Sequence, residues 1–220
     1  MNNTLIHRGP DGEGYLLGGA HESDVDLPEH DLVDSPIPFA FGHRRLAILD
    51  LSKQGHQPMC YRGRYWIVYD GEVYNHIELR EELETLGYTF HSRTDTEVIM
   101  AGYDAWGVDC LNRFNGMWAF VLYDSETKEL FISRDRFGIK PLYYYQDDQH
   151  FIFGSEIKAL LKHPAVTRKP DIEYCKLFLK EGSKEHLRKT AFEDIYRFEC
   201  AGYLKCRIEE VFQPFKETTF

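Results

Sequence analysis

Apolar residues in this chain form short runs whose spacing changes between that of strands and that of helices. Residues 66–69 are aromatic and β-branched, a composition that favours a buried strand. The polar triplet Asp70-Gly71-Glu72 follows directly, and we predict that the strand ends there in a turn. Turns that follow buried strands often carry binding residues, so this turn is the first candidate for a site.

Two helices are predicted after this strand. Asn75 and Glu78 have the spacing of a capping box, and leucines then recur at intervals of four and three residues. Thr94 and Glu97 repeat the capping pattern and open a second helix, which Gly107 ends. The apolar positions of the first helix are Leu79, Leu83 and Leu86.

The remaining elements are mostly short strands separated by turn-forming residues, as in antiparallel hairpins. Ser155 is predicted to cap a further helix that runs to residue 161. Interleaved strands and amphipathic helices predict an α+β fold in which helices cover the sheets. Residues 18–38, with glycines, acids and prolines, predict a long exposed loop. The other predicted strands cover residues 15–17, 39–49, 88–91, 117–123, 130–133, 142–145 and 151–153.

A length of 220 residues and a hydrophobic content of 43% suit one packed domain. From residue 164 the apolar pattern weakens and the density of charge rises. We therefore predict a domain over residues 1–163 and an extension or linker over residues 164–220. The formal net charge of −10, without a long basic run, disfavours nucleic acid and membranes as partners.

The five cysteines are scattered and form no CxxC pair, which argues against a disulfide framework or a structural zinc site. Cys200 and Cys206 could act as a ligand pair, but no His or Cys cluster lies near them in the sequence. The chain shows neither an apolar leader at its start nor an apolar run of membrane-spanning length. These observations favour a cytoplasmic protein without a metal site.

Six motifs occur in a definite order along the chain. They are His7-Arg8-Gly9-Pro10-Asp11, Gly42-His43-Arg44-Arg45-Leu46, Gly55-His56-Gln57-Pro58-Met59, Asp70-Gly71-Glu72-Val73-Tyr74-Asn75, Thr94-Asp95-Thr96-Glu97 and Arg134-Asp135-Arg136-Phe137-Gly138-Ile139-Lys140-Pro141-Leu142-Tyr143. In this order they resemble class II glutamine amidotransferase domains, and most of all the glutaminase half of asparagine synthetase. The resemblance covers residues 7–163 and extends weakly to a segment over 192–204 that leads into a synthetase half.

This resemblance implies the N-terminal-nucleophile hydrolase fold, a sandwich of two antiparallel sheets between helical layers. The first strand and helix of that fold have no counterpart in this chain, which would leave a sheet edge unpaired. The synthetase half has no counterpart either. We expect no cofactor in this domain, since ATP and Mg²⁺ would be needed only by a synthetase domain.

The resemblance also implies a set of glutamine-binding residues. Arg45 corresponds to the arginine that holds the α-carboxylate, and a guanidinium suits a carboxylate because it can donate two parallel bonds. Asp95 corresponds to the acid that holds the α-ammonium, although a carboxylate in the first turn of a helix is favoured there without any ligand. The other implied glutamine-binding positions are Leu46, Ala47, Ile48, Leu49, Asp70, Gly71 and Glu72.

Two features depart from the family pattern. The family's nucleophile is an amino-terminal cysteine, whereas this sequence begins Met1-Asn2-Asn3. Relatives carry Asn at position 70, where the side-chain amide and the backbone N–H of Gly71 form the oxyanion hole. An ionised Asp70 can only accept hydrogen bonds, and losing one such donor typically raises the barrier by about 2.7–4 kcal/mol. A protonated Asp70 could still donate, provided that its pKa is strongly raised.

We therefore assign no catalytic residue in this chain. His7, His43, Arg44 and the motif over residues 134–143 are interpreted as scaffold. One interpretation is a glutaminase domain of an asparagine-synthetase-like protein, inactive alone, that would supply ammonia to a synthetase domain or subunit. The alternative is a degenerate, non-catalytic domain that binds an amino acid or acts as a scaffold. In either case the expected ligand is glutamine or a similar amino acid, and a homodimer is possible.

Overall fold

A computed structural model describes residues 1–18, 39–182 and 187–220 of the chain, so the loop predicted over residues 18–38 lies almost entirely outside the described residues. The helices are α1 (His76–Thr85), α2 (Asp95–Trp106), α3 (Cys110–Arg113), α4 (Ile157–Leu160) and α5 (Ile172–Glu181), and short 3₁₀ helices cover Asn2–Arg8, Lys53–Gly55 and Gly107–Asp109. The strands are β1 (Gly12–Gly18), β2 (Phe39–Arg45), β3 (Met59–Tyr61), β4 (Tyr65–Val73), β5 (Gly116–Asp124), β6 (Glu129–Arg134), β7 (Tyr143–Gln146), β8 (Phe151–Gly154), β9 (Ile195–Arg197), β10 (Gly202–Arg207) and β11 (Thr218–Thr219).

The largest sheet has six antiparallel strands in the order β11-β10-β6-β5-β4-β3. At its centre, β4 pairs with β5 along nine residues, from Tyr65 opposite Asp124 to Val73 opposite Gly116. Side chains alternate between the two faces of a strand, and both faces of this pair are apolar. The sheet can therefore be covered on both sides.

One face of the six-stranded sheet packs against α1, α2 and α3. Ile67 and Trp118 from the sheet join Leu83 of α1 and Ile99 of α2 in one buried cluster, and none of the four is exposed. Thr94 begins α2 as predicted, because its hydroxyl accepts a hydrogen bond from the backbone N–H of Glu97 at 3.3 Å. The helix ends at Gly107, as its sequence pattern predicts.

The opposite face packs against a second strand layer. Val68 and Val121 of the large sheet share a buried cluster with Phe41 of β2 and Tyr144 of β7. This layer is made of two pieces, the hairpin-like pair β1-β2 and the three-stranded sheet β8-β7-β9. Helix α4 covers its outer side, where Leu160 packs with Ile152 and Ile195. The order of layers is helix, sheet, sheet, helix, which is the predicted α+β sandwich.

Several local predictions are wrong, each for a tertiary reason. The strand β4 does not end in a turn at Asp70, because β5 continues to pair with it as far as Val73. The predicted strand over residues 39–49 ends at Arg45. No strand forms over residues 88–91, where the backbone N–H of His91 donates to the carboxylate of Glu97 instead.

The predicted helix caps differ in a similar way. Asn75 occupies the N-cap position of α1 without capping it, and its side chain bonds the backbone of Arg113 and Asn115. Leu86, predicted to be apolar and core-facing, is 57% exposed. Glu156 rather than Ser155 precedes α4. The side chains of Asn75 and Glu156 bond residues that are distant in the sequence, and local spacing does not reveal such partners.

Residues 164–220 contribute strands to the six-stranded sheet and to the three-stranded sheet. Strand β9 pairs with β7, and β10 pairs with β6. Ile195 and Phe198 are buried in separate clusters of the core. The expected boundary near residue 163 therefore does not separate this segment from the sheets, while its connection to a synthetase domain stays a prediction. None of the helices in the described part of the chain has the length and apolar character needed to cross a bilayer.

The ion pair between Arg64 and Asp124 gives a test of this arrangement. The guanidinium donates to both carboxylate oxygens at 2.8 and 2.6 Å. Burial raises the pKa of Asp124, but the bonds from Arg64 and the following turn outweigh it and lower the pKa from 3.8 to about 2. A folded-state pKa below the unfolded value stabilises the protein above about pH 4 and ceases to do so as the pH falls through about 2.

We expect Asp124→Asn to lower the free energy of unfolding by about 2 kcal/mol at pH 6. The difference from wild type should shrink as the pH falls from about 4 towards 2. Urea unfolding at several pH values measures both effects, with the exposed Asp148→Asn as the matched control. A pH-independent difference would show that the ion pair does not cause the stabilisation.

Candidate functional site

A cavity of about 1330 Å³ lies between the two strand layers. Consecutive residues of β2 and of β8 line the cavity. Side chains alternate between the two faces of a strand, so consecutive residues can line one cavity only where the cavity lies along the edge of the strand. Both strands therefore present an edge to the cavity. Phe41 and Phe153 contact each other beside it, with ring centroids 5.8 Å apart. All nine positions implied by the family resemblance line this cavity, namely Arg45, Leu46, Ala47, Ile48, Leu49, Asp70, Gly71, Glu72 and Asp95.

Asp95 is the first residue of α2 and is only 5% exposed. Its Oδ2 accepts hydrogen bonds from the Tyr69 hydroxyl at 2.7 Å and from the backbone N–H of Val73 at 2.8 Å. Burial raises the pKa of Asp95, and these two donors only partly oppose the rise. The carboxylate is thus held by β4 in a position where a further positive partner would stabilise it.

Glu97 fixes the approach to α2. Its buried carboxylate accepts hydrogen bonds from the backbone N–H groups of His91 and Ser92 and from the Ser92 hydroxyl, at 2.8–3.1 Å. Arg80 of α1 donates to the backbone carbonyls of Ser92 and Thr94. The loop before Asp95 is therefore held from two sides.

Arg45 stands at the end of β2 and braces the loop that follows. Its Nη1 donates to the backbone carbonyl of Ser52 at 2.8 Å, and its Nη2 donates to that of Asp50. Residues 46–49 form an open loop rather than the predicted strand, and Ile48 is 60% exposed. A guanidinium has five N–H donors, so these two bonds leave donors for a ligand.

Asp70 is held between two cations. Its Oδ2 accepts from Nη2 of Arg8 at 2.9 Å, and its Oδ1 accepts from Nζ of Lys140 at 2.8 Å. Burial raises the pKa of Asp70, but the bonds and charges of Lys140 and Arg8 outweigh burial and place the pKa below its ordinary value. Asp70 is therefore ionised and accepts hydrogen bonds, which excludes the protonated, donating form.

The pKa of Glu72 shifts in the opposite direction to that of Asp70. Glu72 lies on the same strand, and its pKa is raised, first by burial and then by the negative charge of Asp95, while Lys140 opposes the rise. Two neighbouring carboxylates with raised pKa values form an electronegative region at this side of the cavity. A ligand ammonium placed there would relieve the repulsion between them.

Lys140 and Arg8 are the cavity residues that sequence reasoning missed. Both belong to motifs interpreted as scaffold. The turn that carries Lys140 is indeed built by a fully buried carboxylate, since Asp135 accepts hydrogen bonds from the backbone N–H groups of Phe137, Ile139 and Lys140. The acid at position 70 was the available signal, because a buried carboxylate generally requires cations beside it.

The two histidines predicted as scaffold bridge separate elements. The Nε2–H of His43 donates to the carbonyl of Tyr69 at 3.1 Å, which links β2 to β4. Burial lowers the pKa of His43 to about 4, so its ring is neutral. His7 bonds Glu156 at 2.7 Å, beside Arg8.

No cysteine lines the cavity in the part of the chain that the structure describes. Cys110 is the first residue of α3 and is buried in the core, and burial raises its pKa far above the range of a reactive thiol. Cys60 and Cys200 are exposed elsewhere on the surface. Among the described residues, the cavity wall therefore carries charged groups that suit the two ends of an amino acid, and no thiol.

Comparison with known proteins assigns the family. A family model described as a glutamine amidotransferase domain matches residues 1–215. The chain belongs to the glutamine amidotransferase family. The match includes most of the segment after residue 163, in agreement with the strands that this segment adds to the sheets.

Two relatives are named as asparagine synthetases. The putative asparagine synthetase [glutamine-hydrolyzing] 2 of Methanocaldococcus jannaschii is 42% identical over 189 residues, covering 78% of this chain and 33% of that protein. Asparagine synthetase [glutamine-hydrolyzing] 3 of Bacillus subtilis is 41% identical over 174 residues, covering 78% of this chain and 25% of that protein. This amidotransferase chain thus spans a third or less of the relatives' length.

A solved structure supports the fold. The glutamine phosphoribosylpyrophosphate amidotransferase of Bacillus subtilis superposes with a TM-score of 0.50 at 19% identity, covering 76% of this chain and 32% of that chain. At this identity the likeness is one of fold alone. It confirms the predicted N-terminal-nucleophile hydrolase architecture.

Gly71 tests the close approach of β4 and β5 at the cavity. A Cβ at this position would overlap the backbone carbonyl oxygen of Met117 on β5. We expect Gly71→Ala to lower the free energy of unfolding by about 1–3 kcal/mol, because backbone atoms must move apart. Gly12→Ala is the control, since its Cβ would lie 3.8 Å from the nearest atom, and should change stability by less than about 0.5 kcal/mol. Equal effects in urea unfolding would contradict the steric explanation.

Proposed function

We propose that this amidotransferase chain is the glutamine-binding domain of an asparagine-synthetase-like protein, working beside a synthetase domain or subunit that uses ammonia. The observation that carries the proposal is the convergence of Arg45 and Asp95 on one cavity with the Asp70-Gly71-Glu72 stretch. Both relatives described above are named as glutamine-hydrolysing asparagine synthetases, which supports the same assignment.

The cavity offers a complementary group for each end of the amino acid. Arg45 binds the α-carboxylate with its remaining N–H donors. Asp95 and Glu72 bind the α-ammonium, whose positive charge lowers the raised pKa of both carboxyls. The side-chain amide then extends towards Asp70 and the backbone of Gly71.

Binding and hydrolysis are separate in this proposal. Attack on the glutamine amide requires a nucleophile in close contact with its carbonyl carbon. The family's nucleophile is a cysteine, and no cysteine lines the cavity among the described residues. The 220-residue chain therefore binds glutamine without releasing glutamate. The ionised Asp70 favours this same role, an amino-acid-binding module, as the second candidate function.

We also propose that the protein works in the cytoplasm. The five cysteines form no disulfide in the described chain, as expected of a protein kept in a reducing compartment.

Isothermal titration calorimetry with glutamine tests the binding role. We expect Arg45→Ala and Asp95→Asn each to weaken binding about 10- to 100-fold, because each removes a charge-assisted hydrogen bond worth about 1.5–3 kcal/mol. Arg207→Ala, an exposed arginine on β10 outside the cavity, should leave the affinity unchanged. Absence of binding to the folded wild-type chain would refute the proposal.

A coupled assay for glutamate tests the absence of hydrolysis. We expect the purified 220-residue chain to release no glutamate from glutamine above the rate measured without protein. Arg45→Ala is the control, because genuine turnover in this cavity must fall when the ligand's carboxylate loses its partner. Glutamate release by wild type that disappears in Arg45→Ala would show that the chain has a nucleophile after all.

A further inference from the structure

Three charged residues from separate segments meet at the end of the cavity that faces Gly71. Arg8 is the last residue of the amino-terminal 3₁₀ helix, Asp70 lies on β4, and Lys140 lies in the turn before β7. Asp70 joins the two cations through its two oxygens, at 2.9 and 2.8 Å. All three line the cavity, and none is more than 31% exposed at its side chain.

The two cations differ in their acidic partners. Arg8 pairs with a second acid besides Asp70, since its Nη1 contacts Glu156 at 3.5 Å. Lys140 donates one N–H to Asp70, and an ammonium has three. Lys140 therefore has donors to offer to an oxygen atom placed in the cavity.

The position of Lys140 is well defined. Its backbone N–H donates to the buried carboxylate of Asp135 at 2.9 Å, and its ammonium is held by Asp70. It is also close enough to Glu72 to lower the pKa of that carboxyl. The ammonium thus lies beside Asp70, where the distal group of a bound amino acid would arrive in the proposed binding mode. A donor fixed in advance loses little conformational freedom when it binds.

We propose that Lys140 binds the carbonyl oxygen of the ligand's distal amide, and that Asp70 acts as a positioning residue that holds the ammonium in place. The inference rests on the proposed function and names the group that recognises the far end of the ligand. An asparagine at position 70 would donate to this oxygen directly. Here the acid at position 70 accepts, and the lysine supplies the donor. The ligand class is therefore an amino acid whose side chain ends in a carbonyl or carboxylate.

Norvaline separates distal recognition from head-group recognition. It has the same head group as glutamine and the same three side-chain carbons, without the amide. We expect wild type to bind glutamine at least 10-fold more tightly than norvaline, because a charge-assisted hydrogen bond is made only with glutamine. Lys140→Met should bring this ratio close to 1, because only glutamine loses a hydrogen bond. Lys205→Met, which removes an exposed lysine paired with Glu129 outside the cavity, should leave the ratio as in wild type.

The double variant Asp70→Asn with Lys140→Met tests the exchange of roles. It places an amide donor at position 70 and removes the lysine, so the preference for glutamine should return. A ratio that stays near 1 in the folded double variant would contradict the exchange.

The outcomes distinguish this inference from the proposed function. If neither amino acid binds folded wild type, the proposed function fails. If both bind and Lys140→Met retains the full ratio, only the role of Lys140 fails. If Lys140→Met does not fold, as judged by circular dichroism, an NMR titration of wild type tests the role of Lys140 instead. The signal followed is that of the Lys140 ε-methylene group, which is assigned by its absence in Lys140→Arg. It should shift with glutamine and not with norvaline, and equal shifts would overturn the inference.

Discussion

The pairing of β4 with β5 is the interaction on which the rest of this structure depends. Its nine-residue length keeps residues 70–72 in regular strand geometry, so successive side chains alternate between the helical layer and the cavity. Tyr69 turns towards Asp95 and Asp70 towards Lys140. If the strand ended at Asp70, as the local sequence suggests, neither hydrogen bond would have a defined geometry.

The cavity combines opposite charges from distant segments. The cations include Arg8, Arg45 and Lys140, and the acids include Asp70, Glu72 and Asp95. The pKa values of Asp70 and Asp95 respond to different neighbours, since Asp70 has two cations in direct contact while Asp95 has neutral donors. Asp70 is already paired with two cations and holds them in place. Asp95 has no cation in direct contact among its hydrogen-bond donors, so its carboxylate can accept a positively charged ligand group. The two acids thus serve different purposes within one cavity.

Sequence reasoning predicted the parts of this structure that depend on local chemistry. Helix α2 was predictable because Thr94 caps it and Gly107 ends it. Ordered motifs indicated nine glutamine-binding positions, and all nine line the cavity. The continuation of β4 through Asp70 and Gly71 was not, because both residue types are rare in strands and only the partner strand decides the matter. Lys140 was missed because Asp70, which binds its ammonium, lies 70 positions away in the sequence.

The strand layer behind the cavity consists of two pieces that are joined by side-chain packing, such as the contact between Phe41 and Phe153, and not by a ladder in the described chain. Backbone ladders transmit cooperativity along a sheet, whereas packing alone allows a piece to open independently. The β1-β2 pair, which also carries Arg45 at its end, should therefore exchange its amide hydrogens sooner than β4 and β5. Arg45, the proposed partner of the ligand's α-carboxylate, then belongs to a less protected unit than Asp70 on β4, and under the proposed function ligand binding would slow the exchange of that unit.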